Sequence, residues 1–163
     1  MICRLALSAF VAAVFASAPA PASAQESPLR GLSSIHVVSE ETDENDAKCG
    51  VSKADIVSIA SKALLDSGVK VVESSRTTLY LSMITLNLEP DGVCVSHLGL
   101  SLRSLAYGAL AYAPDAKQTL EAVLQQERTL FSSARTEHGA RLRDRVQALT
   151  ERVAKEIRRA NPQ

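Results

Sequence analysis

TTLYLSMITLNLEPDGVCVSHLGLSLRSL, residues 77–105, is the stretch that decides the fold. It contains two runs, 77–88 and 93–105, in which β-branched, aromatic and leucine residues predominate, as is typical of strands. Between the runs, Glu89-Pro90-Asp91-Gly92 is a turn sequence, because Pro presets one backbone angle and Gly tolerates a positive φ. The stretch therefore predicts an antiparallel β-hairpin.

The two predicted strands differ in the polarity of their faces. Along the first strand both faces are mainly apolar, with Tyr80, Ile84, Leu86 and Leu88 on one face and Leu79, Leu81 and Met83 on the other. Along the second strand one face is apolar and the other is more polar, with Cys94, Leu98, Leu100 and Leu102 opposed to Val95, His97, Ser101 and Arg103. We therefore expect helices to cover one side of the sheet and the other side to be only partly covered.

Two amphipathic helices flank the hairpin. Ser52 is a favourable N-cap and Gly68 a favourable residue just past a helix end, and apolar residues recur between them at helical spacing, which predicts a helix over 52–67. After Gly139, residues 140–160 carry one apolar stripe, which consists of Leu142, Val146, Leu149, Val153, Ile157 and Ala160. The sequence thus predicts an α+β fold, a two-layer sandwich in which two helices pack on one face of an antiparallel sheet.

The remaining segments are less regular. Residues 33–38 form a short β-type run, whereas the acidic stretch Glu40 to Asp46 has no apolar periodicity and is interpreted as a solvated loop. Lys70 to Glu73 has the composition of the start of a strand. Residues 118–134 are ambiguous, because their apolar positions fit a helix better than a strand.

The order of these elements resembles a group of small α+β modules of the bacterial envelope, which includes the amino-terminal domain of TolB and auxiliary components of envelope ABC transporters. The resemblance covers most of the expected mature chain by pattern: a strand, a helix ending LLDSGVKVVE at residues 64–73, the hairpin, an amphipathic segment and a final helix closing RRANP at residues 158–162. It implies a strand at 123–133 and the order β-α-β-β-β-α, although the residues themselves favour a helix at 123–133. No catalytic motif accompanies the resemblance.

Residues 1–24 have the features of a cleaved secretory signal peptide. Arg4 precedes an apolar run, and Ala22-Ser23-Ala24 matches the A-x-A cleavage pattern. The run is too short to span a bilayer and no second run of that length follows, so we expect no transmembrane segment in the mature chain. We expect a periplasmic protein with a flexible tether at 25–32 and a single domain at 33–161.

Cys49 and Cys94 are the two cysteines of the expected mature chain. In an oxidising compartment such a pair predicts a disulfide, which is our preferred interpretation. A reactive thiol at Cys49 is one alternative, because a helix begins just after it. A zinc site that also uses His36 or His97 is another, although the spacing matches no structural zinc pattern.

The acidic stretch is a candidate cation site only in a loose form. An EF-hand loop that starts at Asp43 would need oxygen ligands at its fifth and twelfth positions, where the chain has Ala47 and Ala54. It would also need Gly at its sixth position, where the chain has Lys48. Motifs of nucleotide-binding loops, zinc hydrolases and serine hydrolases are absent from the sequence. We therefore predict no metal site and no cofactor.

Composition limits the classes of ligand, and the absence of catalytic motifs favours a non-catalytic protein. The chain has no Trp and only 4% aromatic residues, so stacking on sugars or on single-stranded nucleic acid is disfavoured, and we expect no nucleic-acid partner. We expect a non-catalytic accessory protein that contacts an envelope component or protein partner through a sheet edge or an exposed face. The alternatives are a hydrolase or thiol-dependent enzyme that uses His97 with Cys49, Cys94 or Ser96, and a carrier of a small apolar ligand.

Overall fold

The structure is a computed structural model that describes residues 26–162, and the predicted signal peptide lies outside this range. Its elements in chain order are β1 His36–Ser39, α1 Glu44–Lys48, α2 Lys53–Asp66, β2 Thr77–Leu88, β3 Val93–Leu110, β4 Ala113–Ala134 and α3 Arg135–Ala160. The strands form one sheet in the order β1-β2-β3-β4. The predicted α+β class and the predicted hairpin of β2 and β3 are confirmed.

The sheet is antiparallel except at its first strand. β1 pairs with β2 in parallel, whereas β2 with β3 and β3 with β4 are antiparallel. The parallel pair arises because α1 and α2 lie between β1 and β2 in the chain, so the chain crosses over the sheet and re-enters it in the same direction.

Helices α2 and α3 cover one face of the sheet. Strand alternation places five leucines of the two central strands on that face, namely Leu79, Leu81, Leu98, Leu100 and Leu102, and all five are buried. They form one core cluster with the apolar side of α2 and with the stripe of α3, in which Leu142, Val146, Leu149, Val153 and Ile157 are buried. Burial of one such side chain stabilises the fold by about 1.5–3 kcal/mol, so this layer is the hydrophobic core.

The segment before the last helix is a strand, as the resemblance implies, and it is longer than residues 123–133. β4 pairs with β3 from Ala134 to Ala113. Leu102 of β3 lies opposite Gln125, and the next residue, Arg103, lies opposite Val123. Leu124 is therefore an extra, unpaired residue in β4, which is a β-bulge. Such a bulge reverses the alternation of faces along a strand, which explains why the apolar spacing of this segment is not that of a regular strand.

The hairpin of β3 and β4 projects beyond the rest of the sheet. Ser104 lies opposite Thr77, the first residue of β2, and past this point β3 pairs only with β4 among the described residues. We call residues 105–121 the arm. Its β3 side, residues 105–110, extends roughly 20 Å past β2 at about 3.3 Å per residue.

Two short segments differ from the sequence-based expectation. Within the acidic stretch, Glu44–Lys48 is a helix rather than a loop, because Asp43 and Asp46 form a capping box with hydrogen bonds of 2.9 and 2.8 Å. The strand expected at Lys70 to Glu73 is reduced to a single bridge at Val71.

Residues 26–32, expected to be part of a flexible tether, pack against the domain. Leu29 is buried in the core, and its carbonyl accepts a hydrogen bond of 2.8 Å from the side chain of Asn161. The oxygen of the same side chain accepts a hydrogen bond of 2.6 Å from the backbone N–H of Gly31. Asn161 therefore attaches this segment to the end of α3.

The backbone near the start of α3 packs very closely against the turn that follows α1. A Cβ at Gly139 would lie 2.2 Å from the carbonyl oxygen of Gly50, so only glycine fits there. Gly50 itself has a φ of 72°, which favours glycine. The adjacent Cys49 is joined by a disulfide to Cys94 of β3, with a Cα–Cα distance of 6.1 Å.

Replacement of Gly139 by Ala adds a methyl group that overlaps the Gly50 carbonyl, so α3 or the turn must shift. We expect Gly139→Ala to lower the free energy of unfolding by about 1–3 kcal/mol, although Ala otherwise favours a helix over Gly by about 1 kcal/mol. Gly108→Ala is the matched control, because a Cβ at Gly108 has no atom within 4 Å. Denaturant unfolding followed by circular dichroism compares the variants, and unchanged stability of Gly139→Ala would contradict the close approach.

The disulfide closes a loop with a sequence separation of 45 residues. The loss of chain entropy in the unfolded state predicts a stabilisation of about 4 kcal/mol for a loop of this size. We expect the double variant C49A/C94A to be less stable by about that amount in the same unfolding experiment. In the folded wild type we expect no uptake of an alkylating reagent at Cys49 or Cys94, measured by intact mass, until a reductant is added; uptake before reduction would show that the bond is absent.

Candidate functional site

The residues that sequence reasoning proposed for an enzyme do not meet at one place. Ser96 and His97 are consecutive in β3, so their side chains point to opposite faces of the sheet. Ser96 is buried on the helix side, whereas His97 is half-buried on the other side. Cys49 and Cys94 are fully buried and bonded to each other. The expected arrangement of His97 with Ser96 or a cysteine is therefore not formed, because strand alternation turns His97 away from them.

Ser96 instead belongs to a chain of hydrogen bonds that includes His138 of α3. The Ser96 hydroxyl lies 2.7 Å from Nε2 of His138 and 2.7 Å from the hydroxyl of Thr85 on β2. The other ring nitrogen of His138, Nδ1, lies 2.8 Å from the hydroxyl of Ser133 near the end of β4. We call these four side chains the buried polar chain, and they connect three strands to the start of α3.

The ring of His138 is enclosed by its neighbours. It has no exposed surface, and Phe131 of β4 stacks on it with 4.9 Å between the ring centroids. Each ring nitrogen has a hydroxyl partner, so the neutral ring is fully hydrogen-bonded in either tautomer. Burial lowers the pKa of His138, because a charged ring would lose its hydration at this position.

A serine hydrogen-bonded to a histidine is the arrangement of an activated nucleophile, but access is blocked here. Ser96 and His138 both have zero exposure. A shallow depression next to Phe131 is lined by other residues, namely Phe131, Ser132, Arg141, Asp144, Arg145 and Ala148. The second partner of His138 is a hydroxyl rather than a carboxylate, so no negative charge stabilises a protonated ring. We interpret the buried polar chain as a structural device that holds α3 on the sheet.

The candidate metal ligands are engaged in other contacts. The Asp46 carboxylate accepts a hydrogen bond from the backbone N–H of Asp43, the N-cap of α1, and a carboxylate oxygen of Glu40 accepts a hydrogen bond of 2.7 Å from the Tyr80 hydroxyl. The two cysteines of the zinc alternative are bonded to each other. Across residues 26–162, no group of three or more His, Cys, Asp or Glu side chains is arranged so that it could hold a metal ion.

The sheet face opposite α2 and α3, which we call the open face, carries a cluster of apolar side chains. We call the following six residues the apolar patch: Ile84, Leu86, Leu88, Val93, Val95 and Leu130. Three of them are strongly exposed, with 65% of the residue surface accessible at Ile84, 54% at Leu86 and 70% at Leu130. His97 lies within the patch, opposite Ile84 on one side and Leu130 on the other. A contiguous exposed apolar cluster on a sheet face is typical of an interaction surface.

A polar band separates the apolar patch from the arm on the open face. The guanidinium of Arg103 lies 4.0 Å from the centroid of the Tyr80 ring. The hydrogen bond from the Tyr80 hydroxyl to Glu40 raises the pKa of Tyr80. Arg103 also forms an ion pair of 3.8 Å with Glu121 of the arm. Arg103 therefore contacts both the body of the sheet and the base of the arm.

Sequence reasoning identified part of the open face and missed the buried polar chain. The second apolar face of β2, with Ile84, Leu86 and Leu88, was visible in the sequence. Leu130 was missed, because it belongs to the segment with helix-like spacing. One feature of the sequence could have indicated the buried polar chain. Thr85 and Ser96 place hydroxyl groups on the strand face that is otherwise apolar and packs against the helices.

The lowered pKa of His138 predicts that stability depends on pH. As pH falls below the ordinary histidine pKa of about 6.5, the unfolded chain takes up a proton at this ring more readily than the folded chain does. The free energy of unfolding should therefore be unaffected by this group at higher pH and should decrease as pH falls through about 6.5. We expect His138→Gln to be less stable at neutral pH and to lose part of this slope.

Denaturant unfolding at several pH values measures this slope for the wild type and for His138→Gln. If the variant does not fold, NMR titration of the imidazole of His138 in the wild type tests the same property, because the ring should stay neutral below the pH at which a free histidine is protonated. A ring that protonates at the ordinary pH would contradict the desolvated environment.

Comparisons with known proteins give distant structural matches only. No protein-family model matches the chain, and no curated protein is a significant match. Among the solved structures that match, three are similar over 78% of this chain. A PelC dodecamer from Paraburkholderia phytofirmans has 17% identity, 87% of its chain covered and a TM-score of 0.44. Rare lipoprotein B from Shewanella oneidensis has 13% identity, 92% covered and a TM-score of 0.28. A Caulobacter crescentus protein described as a lipoprotein has 16% identity, 89% covered and a TM-score of 0.36.

Proposed function

We propose that this chain is an exported, non-catalytic accessory protein of the cell envelope that binds a protein partner through the apolar patch of its open face. The single observation that carries the proposal is the exposure of Ile84, Leu86 and Leu130 together on a sheet face that no described helix covers. Removal of such a cluster from water is favourable by about 25 cal/mol per Å² of apolar surface. A partner with a complementary apolar surface would gain this free energy on binding.

The chemistry of the described residues supports binding rather than catalysis. Both serine–histidine contacts of the described residues involve His138, which is fully buried, and its partner Ser96 is fully buried as well. His97 lies within the apolar patch, where its cross-strand neighbours are Ile84 and Leu130 rather than a nucleophilic side chain. A polar group within an apolar surface gives orientation and specificity to a contact between proteins.

The cellular location in the proposal depends on the signal peptide expected from residues 1–24. None of the helices in residues 26–162 is long and apolar enough to cross a membrane. A disulfide in the core agrees with an oxidising compartment, because such bonds persist outside the cytosol.

Site-specific photo-crosslinking in the periplasm tests the proposal. A benzophenone amino acid at Leu86 should give a discrete crosslinked product, whereas the same probe at Lys155, which is exposed on the outer side of α3, should not. Leu130→Asp, introduced together with the probe at Leu86, should reduce the product about tenfold, because a charge replaces an apolar contact of about 1.5 kcal/mol or more.

The matched control is Lys155→Asp, which introduces the same carboxylate on the helix side and should leave the product at Leu86 unchanged. Circular dichroism and unfolding curves show whether each variant is folded. Equal crosslinking from both probe positions, or no product from Leu86 in a folded and exported protein, would overturn the proposal. The mass of the product distinguishes a different protein from a second copy of this chain.

A further inference from the structure

The tip of the arm is a separate apolar surface that the fold does not use. The tip, residues 105–114 (LAYGALAYAP), contains no charged side chain, and the nearest charges along the chain are Arg103 and Asp115. Tyr107 and Tyr112 are 73% and 84% exposed, and Leu105 is 52% exposed. None of the three belongs to the core cluster of the described residues. Their apolar character is therefore not explained by packing within the domain.

We propose that the tip of the arm inserts into the interfacial layer of a lipid bilayer. The chemistry of the tip fits this environment, because tyrosine places an apolar ring below the headgroups and a hydroxyl among them. Leucine and alanine supply apolar surface between the two tyrosines. This inference concerns the arm and does not depend on the proposed role of the apolar patch.

The distribution of apolar side chains favours lipid over the flat surface of a protein. Leu105 and Tyr107 lie on the open face, whereas the cross-strand pair of Ala106 and Leu120 lies on the other face of the arm. A flat protein surface could cover only one of these faces. The interfacial layer of a bilayer would surround the two-stranded arm and would remove the apolar groups on both of its faces from water.

The backbone of the arm limits the depth of insertion. Leu105 is the last residue of β3 with a backbone hydrogen bond on its outer edge among the described residues, from its N–H to the carbonyl of Arg76 at 3.0 Å, and β4 is the last strand of the sheet. The unpaired N–H and C=O groups of such edges are costly in hydrocarbon, where no water can bind them. The tip should therefore lie at the level of the headgroups and the upper acyl chains, where hydration persists.

The charges nearest the tip balance each other. Arg103 and Lys117 are cationic, and Asp115 and Glu121 are anionic, so the base of the arm has no net charge. Attraction to anionic lipid therefore adds little, and the apolar contribution of the tip should dominate binding. Zwitterionic and anionic bilayers should be bound with similar affinity.

A tryptophan reporter tests the inference directly, because the chain has no Trp of its own. Tyr112→Trp places an indole at the tip, and Leu130→Trp places one in the apolar patch as a matched control. Each full-length variant is mixed with vesicles of phosphatidylcholine alone, or of phosphatidylcholine with phosphatidylglycerol. We expect a blue shift of the emission, and quenching by brominated lipid, for Tyr112→Trp with both vesicles and for Leu130→Trp with neither.

A second substitution shows whether the tip itself drives binding. Leu110→Asp in the Tyr112→Trp background should lower the vesicle partition coefficient about tenfold or more, because a charge replaces a leucine that contributes about 1.5 kcal/mol or more when buried. Lys155→Asp in the same background changes charge on the far side of the protein and should leave the partition coefficient unchanged. Unfolding curves confirm that each variant is folded.

Three outcomes would overturn the inference. The first is no spectral change of Tyr112→Trp with either vesicle. The second is a blue shift without vesicles that grows with protein concentration, which would show that a second copy of this chain covers the tip. The third is a response only to anionic vesicles, which would show that charged residues elsewhere drive the binding.

Discussion

The contact between the backbones of Gly139 and Gly50 is the constraint on which the rest of the structure depends. It allows the start of α3 to lie directly on the turn after α1, at a distance that excludes any side chain. The adjacent disulfide ties that turn to β3, and the buried polar chain ties His138, the residue before Gly139, to three strands. Since α3 follows β4 without a loop, the position of its first turns fixes the direction of the whole helix across the sheet.

Placement of α3 and α2 on one face leaves the other face of the sheet to solvent. β2 is apolar on both faces, so a strand that supplies Leu79 and Leu81 to the core also presents Ile84, Leu86 and Leu88 to the outside. The same separation of core from surface explains why the hydroxyl of Ser96 is inaccessible while the neighbouring His97 is half-buried among apolar residues. The exposure of the apolar patch and the separation of His97 from Ser96 therefore follow from the same placement of the helices on one face.

Much of the fold could be predicted from residue patterns, and the exceptions have physical causes. Both helices and the strands Thr77–Leu88 and Val93–Leu105 were visible because their periods and end signals are local. The strand before α3 needed the resemblance, since a bulge at Leu124 breaks its alternation. The helix at Glu44–Lys48 was missed, because its stability comes from the capping box of Asp43 and Asp46 rather than from apolar spacing.

The sequence by itself determined the two long helices, the two strands of the central hairpin with the apolar faces of those strands, and that Cys49 and Cys94 could pair, because these properties depend on neighbouring residues and on composition. Only the tertiary structure decided that Ser96 meets His138 rather than His97, since these residues are 42 positions apart and converge through the packing of α3 on the sheet. It also decided that residues 105–121 project as an arm. That projection depends on where β2 begins relative to its partner, which is a property of strand register that no local pattern contains.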